Sequence, residues 1–317
     1  MKPKIVVIGS SNTDMVVYVT HLPSAGETVL GHQFESSRGG KGANQAISAA
    51  RLGAEVCFVT RLGRDNFGEE SFKCYVQEGL DTDFIVWDEK EPSGVALIMV
   101  ERSGENSIAV ASGANAHLSP QDVEAAASAI RSASCILLQL EIPLETVEAA
   151  VNLASKSGVR IILNPAPAVQ LPASLLKKVD ILTPNEKEAD LLAAGYTSAH
   201  VGDVAGFLYQ QSGVRNLVIT MGAKGSVICG SSNAFVPGFP IQAIDTTGAG
   251  DAFNGGLAVG LARGDDLITA VRYANAVGAL STTQSGAQSS LPSASQVENF
   301  LNQSSAGVPS RLKHHKL

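Results

Sequence analysis

The feature that most constrains this fold is a regular alternation of short, wholly apolar runs with longer stretches whose apolar residues recur at helical spacing. Lys4 to Gly9 leads into a helical pattern from about Gly42 to Leu52, and Glu55 to Thr60 into one from about Phe67 to Glu78. Cys135 to Gln139 precedes a pattern from about Leu144 to Ser157. Val159 to Asn164 and Asp180 to Thr183 continue the series, the last followed by a helix from about Asn185. A strand that is apolar along its whole length has no face for water, so helices must cover both faces of its sheet. The expected fold is α/β: three αβα layers around a mainly parallel central sheet. Two segments break the alternation. Asp14 to Phe34 carries the runs Met15 to Val19 and Glu27 to Leu30, and Ser93 to Ala111 carries Gly94 to Val100 and Ser107 to Ala111 around Ser103-Gly104-Glu105-Asn106. These read as hairpins. Both leave the frame near the C-terminal ends of sheet strands, where open α/β sheets bind ligands, which predicts a small antiparallel β lid from segments of about 12–38 and 92–112.

With 317 residues, 44% hydrophobic and 17% charged, the chain can bury one large core. One domain over 1–302 with a flexible tail over 303–317 is expected. A net charge of −7, without a basic run interleaved with aromatics, argues against nucleic acid as a partner. An anionic substrate must then be held by helix ends, a metal ion or single lysines. Cys57, Cys74, Cys135 and Cys229 lack C-x-x-C spacing, and three lie in apolar runs, as buried thiols of a reducing compartment do. The histidines show no metal spacing, so no dedicated zinc site is expected. Ile5 to Gly9 is too short for a signal peptide or a membrane span, so no membrane association and a cytoplasmic location are expected.

The chemistry concentrates in Asp245-Thr246-Thr247-Gly248-Ala249-Gly250-Asp251. Upstream, Gly238 to Ile244 is extended and apolar. Downstream, Ala252, Phe253, Leu257, Ala258 and Leu261 recur at helical spacing, so the run sits at a loop-to-helix junction. Gly248 and Gly250 let amides converge on an oxyanion, and the positive end of the helix dipole points the same way. Thr247, Gly248, Ala249 and Gly250 are therefore the candidate anion hole. Asp251, in the first turn, is placed to take a proton from a hydroxyl attacking a bound phosphate. A glycine pair before a helix, with an aspartate as mere dipole partner, is the plain alternative. The run is not a P-loop, which needs Lys and then Ser or Thr after its last glycine.

Further polar stretches fall at strand ends: Gly9 to Asp14, Gly39-Gly40-Lys41-Gly42-Ala43-Asn44-Gln45, Gln139-Leu140-Glu141, Asn164-Pro165-Ala166-Pro167, Thr183-Pro184-Asn185-Glu186 and Thr220-Met221-Gly222-Ala223-Lys224-Gly225. Asn12 and Asp14, two apart in an extended segment, face the same way and can grip vicinal hydroxyls. Glu141, between Leu140 and Ile142, is costly to bury without partners. Asn185 followed by Glu188 makes a helix N-cap box on its own account.

In this order, from about residue 3 to residue 301, these motifs resemble the ribokinase-like (PfkB-type) carbohydrate kinases. The double-glycine lysine helix start and the Gly-Ala-Gly-Asp loop are the family's most specific patterns. The resemblance implies ATP-dependent phosphorylation of D-ribose at its 5-hydroxyl, with Asp251 as general base. It sets Asn12, Thr13, Asp14, Gly40, Lys41, Asn44 and Glu141 around the sugar, with Ala96 and Ile108 of the lid packing on it. It assigns Asn185, Thr220, Gly222, Ala223, Lys224, Gly225, Gly250 and Asn275 to the nucleotide, and Glu188 to Mg2+ through water. Deoxyribose, a nucleoside or a ketohexose are the rival acceptors, and a non-catalytic sensor on the same fold is the rival class. Small Ala96 and the polar Asn12, Asp14 and Glu141 favour a fully hydroxylated pentose. Ser281 to Ser290 is a polar stretch rich in free carbonyls, such as hard cations want, and Asp245 reads as unpaired. By the resemblance, Asp245, Thr247, Ser281, Gln284, Gly286 and Ser290 hold a monovalent cation, K+. Exposed lid edges further suggest a homodimer joined lid to lid.

Overall fold

A computed structural model describes residues 2–196, 198 and 200–306. Its strands are β1 (Lys4–Ile8), β2 (Asn12–Val19), β3 (Gln33–Gly39), β4 (Glu55–Gly63), β5 (Ile85–Asp88), β6 (Gly94–Glu101), β7 (Asn106–Ala111), β8 (Cys135–Leu138), β9 (Arg160–Leu163), β10 (Ile181–Leu182), β11 (Asn216–Thr220), β12 (Gly225–Cys229) and β13 (Ala234–Pro237). Nine of them form one sheet in the order β13-β12-β11-β10-β9-β8-β1-β4-β5. Pairing is parallel from β11 through β5, while β12 and β13 add an antiparallel edge. Gly238 to Ile244, expected to be extended, follows β13 and joins no strand.

Alternation along the strands divides the core. Ile5, Val7, Phe58 and Leu137 turn to one face, beneath the helices Lys41–Arg51, Ala249–Arg263 and Leu267–Ser281. Val6, Ile8, Val59, Ile136 and Leu138 turn to the other, beneath Leu144–Lys156 and Val201–Ser212. Because both faces are dry, a strand loses nothing by being apolar throughout, and the three layers expected from the sequence follow.

The lid is a separate four-stranded sheet, β3-β2-β6-β7. Each hairpin is antiparallel within itself, and the two join through β2 and β6 in parallel. The return strand of the first hairpin is Gln33–Gly39 and not Glu27 to Leu30, which forms irregular chain with Leu30 87% exposed. Gln33–Gly39 is exposed except at Gly39 and carries Phe34 as its one large apolar residue, so no alternation marks it. At the other end, the helix Ala294–Ala306 extends past Gln303, anchored by the buried Val297 and by Phe300 against Phe239 at 5.2 Å. The tail expected from 303 therefore begins no earlier than 307, and residues 307–317 lie outside the described residues. Among the described residues, no helix is long and apolar enough to cross a membrane.

Candidate active site

Asp251 stands in the first turn of the helix Ala249–Arg263, buried to 6% exposure at the C-terminal edge of the sheet. Its Oδ2 accepts from Asn44 Nδ2 at 2.9 Å and its Oδ1 from Gln45 Nε2 at 2.9 Å. Burial pushes its carboxyl above the usual range, opposed by Lys41 and by the two amides. Asn44 and Gln45 come from the helix Lys41–Arg51, whose start is set by Gly40 at φ 89°. A Cβ on Gly40 would lie 2.7 Å from the Asn12 nitrogen, so two strand ends meet here only through a glycine.

The expected sugar residues gather around this carboxylate. Glu141 Oε2 accepts from Ser10 Oγ at 2.5 Å and from the Lys41 amide at 3.0 Å. Asp14 is raised to about 6, first by burial and then by the charges of Glu141 and Asp251, against Lys41. Burial alone would lower Lys41, but Asp251, Glu141, Glu188 and Asp14 together raise it, so one ammonium is shared by four carboxyl groups. The buried Asn44 Oδ1 has no partner among the described residues. A sugar hydroxyl would satisfy it. Register aligns Asp14 with Ala96 and Val110, and Val16 with Ile98 and Ile108, so Ala96 and Ile108 share the lid face that carries Asp14. Thr13 is buried but alternates to the opposite face of β2. Its side chain therefore does not join Asn12 and Asp14.

The anion loop is narrower than the sequence suggested. The Thr247 amide donates to Asp245 Oδ1 at 2.9 Å and the Ala249 amide to the Thr246 carbonyl at 3.2 Å, so neither is free for a phosphate. Among the described residues, the amides of Gly248 and Gly250 have no acceptor in the loop. Gly248 caps the helix at φ 74°, the left-handed conformation that glycine adopts without strain. A cavity runs on from this loop, lined by Thr220, Gly222, Ala223, Gly225, Thr246 and Asn275 among others. Lys224 does not line it; its Nζ lies 3.5 Å from Glu186 at an exposed site. Asn275 borders the cavity, but its amide is engaged elsewhere: Oδ1 accepts from Ser226 Oγ at 2.8 Å and Nδ2 donates to the Val236 carbonyl at 3.2 Å. It therefore ties β12 and β13 to the helix Leu267–Ser281 and has little left for a nucleotide. Asn185 pairs with Thr220 as an isolated bridge and closes a reciprocal cap with Glu188, at 2.9 Å each way. Glu188 is half-buried and raised mainly by that burial, while Lys41 and Asp251 act on its charge, so it belongs to the same electrostatic cluster.

Asp245 is not unpaired. Its Oδ1 takes the Thr247 hydroxyl at 2.7 Å as well as the amide, and its Oδ2 takes the Gly286 amide at 2.8 Å. These hydrogen bonds hold its carboxyl below the usual range against partial burial, and clasp the anion loop to the 283–290 loop. Ser281 and Ser290 are buried and donate to the carbonyls of Gly278 and Ala287 at 2.8 and 2.9 Å. Gln284 is exposed.

Sequence reasoning gave no role to Asn115, Gln45, Asn164 or Thr183. Asn115 is 2% exposed and holds Asn12 in place, its Nδ2 donating to Asn12 Oδ1 at 2.7 Å while its Oδ1 accepts from the Ser11 amide at 2.8 Å. It lies in a short 3-10 helix over Gly113–His117, where a single asparagine carries no pattern.

Residues 2–294 match the model of the pfkB family carbohydrate kinases. A ribokinase of Haemophilus influenzae is 42% identical over 303 residues, covering 95% of this chain and 99% of that protein. A deoxyribokinase of Salmonella typhi is 38% identical over 305 residues, covering 94% and 98%. The solved structure of Arabidopsis thaliana ribokinase complexed with ribose and ATP superposes with a TM-score of 0.87 at 32% identity, covering 95% and 99%. The match over nearly the whole chain settles its family: the chain belongs to the pfkB family of carbohydrate kinases.

Proposed function

We propose that this chain transfers the terminal phosphoryl group of ATP to the 5-hydroxyl of D-ribose, giving D-ribose 5-phosphate and ADP. The observation that carries the reading is Asp251, a buried carboxylate with an amide donor on each oxygen, between a carboxylate-rich sugar cleft and a glycine-capped helix end. Asp251 takes the proton as the hydroxyl attacks, Asp14, Asn12 and Glu141 orient the sugar, and the Gly248 and Gly250 amides meet charge on the moving group. Such transfers depend on positioning and electrostatics more than on covalent chemistry. Ribokinases at this level of identity support the reading. Asp251→Asn is expected to lower turnover by about two to four orders of magnitude with ATP and ribose affinities retained. Turnover within a few-fold of wild type would remove the base from the account.

Magnesium fits as an ion carried by the nucleotide. Among the described residues, no three His, Cys, Asp or Glu side chains gather into a cage, and Glu188 keeps Oε1 free of its cap to accept from a coordinated water. Bound there, the ion would neutralise charge on the phosphates. A large monovalent cation such as potassium fits the oxygen set beside the anion loop. Among the described residues, the carbonyls of Asp245, Thr247, Gln284 and Gly286 accept no protein hydrogen bond. Its role there would be to fix the loop conformation.

Deoxyribose is the second reading, favoured by the deoxyribokinase at 38% identity. The site argues for ribose, because a missing hydroxyl would leave a buried carboxylate or amide unpaired. A homodimer through the lid completes the proposal. The lid face away from Asp14 carries Met15, Val17, Phe34, Leu97 and Met99, with Phe34 63% and Leu97 55% exposed. A cytoplasmic location accords with four cysteines that form no disulfide.

A further inference from the structure

Behind Asp251 runs a string of buried amides whose polarity is set by a main-chain carbonyl. Asn164 Nδ2 donates to the Thr183 carbonyl at 3.1 Å. A carbonyl can only accept, so Asn164 must turn its NH2 there and its Oδ1 the other way. That Oδ1 accepts from Gln45 Nε2 at 3.2 Å, which fixes the Gln45 amide in turn. The same Nε2 donates to Asp251 Oδ1 at 2.9 Å, and Gln45 Oε1 accepts from Gln139 Nε2 at 2.6 Å. Gln45 and Gln139 are fully buried, with Thr183 at 2% and Asn164 at 7% exposure. Water cannot easily scramble the order.

The consequence falls on the base. Oδ1 of Asp251 faces an N–H whose orientation is dictated from two residues away, and a proton on that oxygen would meet another proton. Oδ2 also accepts an amide N–H, from Asn44, but the Oδ1 of that amide has no partner among the described residues, so nothing locks the Asn44 amide from behind and Oδ2 is the oxygen left to take the sugar's proton. We propose that Gln45, oriented by Asn164, is a positioning residue that keeps Asp251 ionised and fixes which of its oxygens receives the substrate proton. A second branch ties the anion loop to the same strand end: Thr183 Oγ1 donates to Asn254 Oδ1 at 2.6 Å, and Asn254 Nδ2 to the Gly250 carbonyl at 2.8 Å. Base and loop are therefore referenced to one residue, Thr183. The charged groups around Asp251 are Lys41, Glu141, Asp14 and Glu188, of which only Lys41 favours its ionised form. Burial opposes ionisation, so the amide donors carry part of the work of keeping a base at neutral pH.

The inference rests on Asp251 being the general base, and its test separates the two. Turnover of ribose with Mg-ATP is measured against pH for wild type, Gln45→Met and Gln45→Glu, with ribose affinity of each variant measured alongside as the check of folding. Losing a donor to a carboxylate raises its pKa, so the acid limb of the Gln45→Met profile should move up by about one pH unit. Near neutral pH its kcat should fall by about ten- to a hundredfold, with KM for ribose changed by no more than about threefold. Gln45→Glu keeps the size and polarity of the site, and should move the limb further, because two adjacent carboxyls share one proton. Should Gln45→Met fail to bind ribose, Gln45→Glu carries the test alone. A wild type without turnover on ribose would overturn the proposed function itself. An active wild type whose variants keep its acid limb, even at lowered kcat, would overturn the positioning role and leave Asp251 as base.

Discussion

At the residue scale the site is a problem in keeping carboxylates charged out of water, and Asp14 gives it a pH signature. Burial, then Glu141 and Asp251, raise its carboxyl to about 6 from 3.8. A folded pKa above the unfolded one means the native state binds this proton more tightly, so the stability linked to Asp14 is full below about pH 4 and is lost as pH rises to about 6. Ionised Asp14 then costs the free protein up to roughly 3 kcal/mol near pH 7. Asp14→Asn is expected to raise the melting temperature near pH 7 and to leave it unchanged near pH 4, and equal melting at both would contradict the burial argument. Ribose reverses the preference, since its hydroxyls donate to the ionised form. Affinity should weaken below about pH 6, with proton release visible by calorimetry in buffers of different ionisation enthalpy. Asp14→Ala and Glu141→Ala should each weaken ribose binding by roughly 1 to 3 kcal/mol while sparing ATP. Unchanged ribose affinity in both variants would dissolve the proposed cleft.

At the element scale, the junction between the anion loop and the 283–290 loop is the part whose behaviour depends on ions. Asp245 clasps the two loops through Thr247 and Gly286, and among the described residues the neighbouring carbonyls of Thr247, Gln284 and Gly286 accept no protein hydrogen bond. Turnover should rise as potassium replaces sodium at constant ionic strength, because the larger, less tightly hydrated ion suits a carbonyl cage. Asp245→Ala, which opens the clasp, should blunt that rise; a flat wild-type response, or an undiminished one in the variant, would remove the cation from the account. Most of these elements were legible in the sequence. The apolar strands and the Lys41 and Asp251 helix starts announced themselves because a dry sheet and a glycine-dependent turn admit few other residues. The return strand Gln33–Gly39 did not, since it is exposed at all but its last residue and has no periodicity to read. Asn115, Asn164 and Thr183 were hidden for a different reason: their roles lie in partners far along the chain, and a lone buried amide looks like any turn residue. Asn275 borders the cavity as expected, but its amide turns from its helix to Ser226 and the Val236 carbonyl, a use that the sequence around it does not reveal.

At the scale of the whole molecule, the β lid is apolar on both faces, and one face cannot serve two purposes. The Asp14 face, with Ala96 and Ile108, suits a sugar; the opposite face, with Leu97 and Phe34, suits a second copy. Leu97→Lys should therefore shift sedimentation from dimer to monomer, and a wild type that sediments as a monomer at micromolar concentration would contradict the lid interface. Ribose is the acceptor that the cleft of Asn12, Asp14 and Glu141 is proposed to hold. The most direct test of that preference is kcat/KM from ADP release with Mg-ATP over ribose, 2-deoxyribose, fructose and adenosine, with the position of the product phosphate read by phosphorus NMR. Ribose is predicted to lead the series and to carry the new phosphate on its 5-oxygen. No sugar-dependent ADP release, or 2-deoxyribose equal to or ahead of ribose, would contradict it.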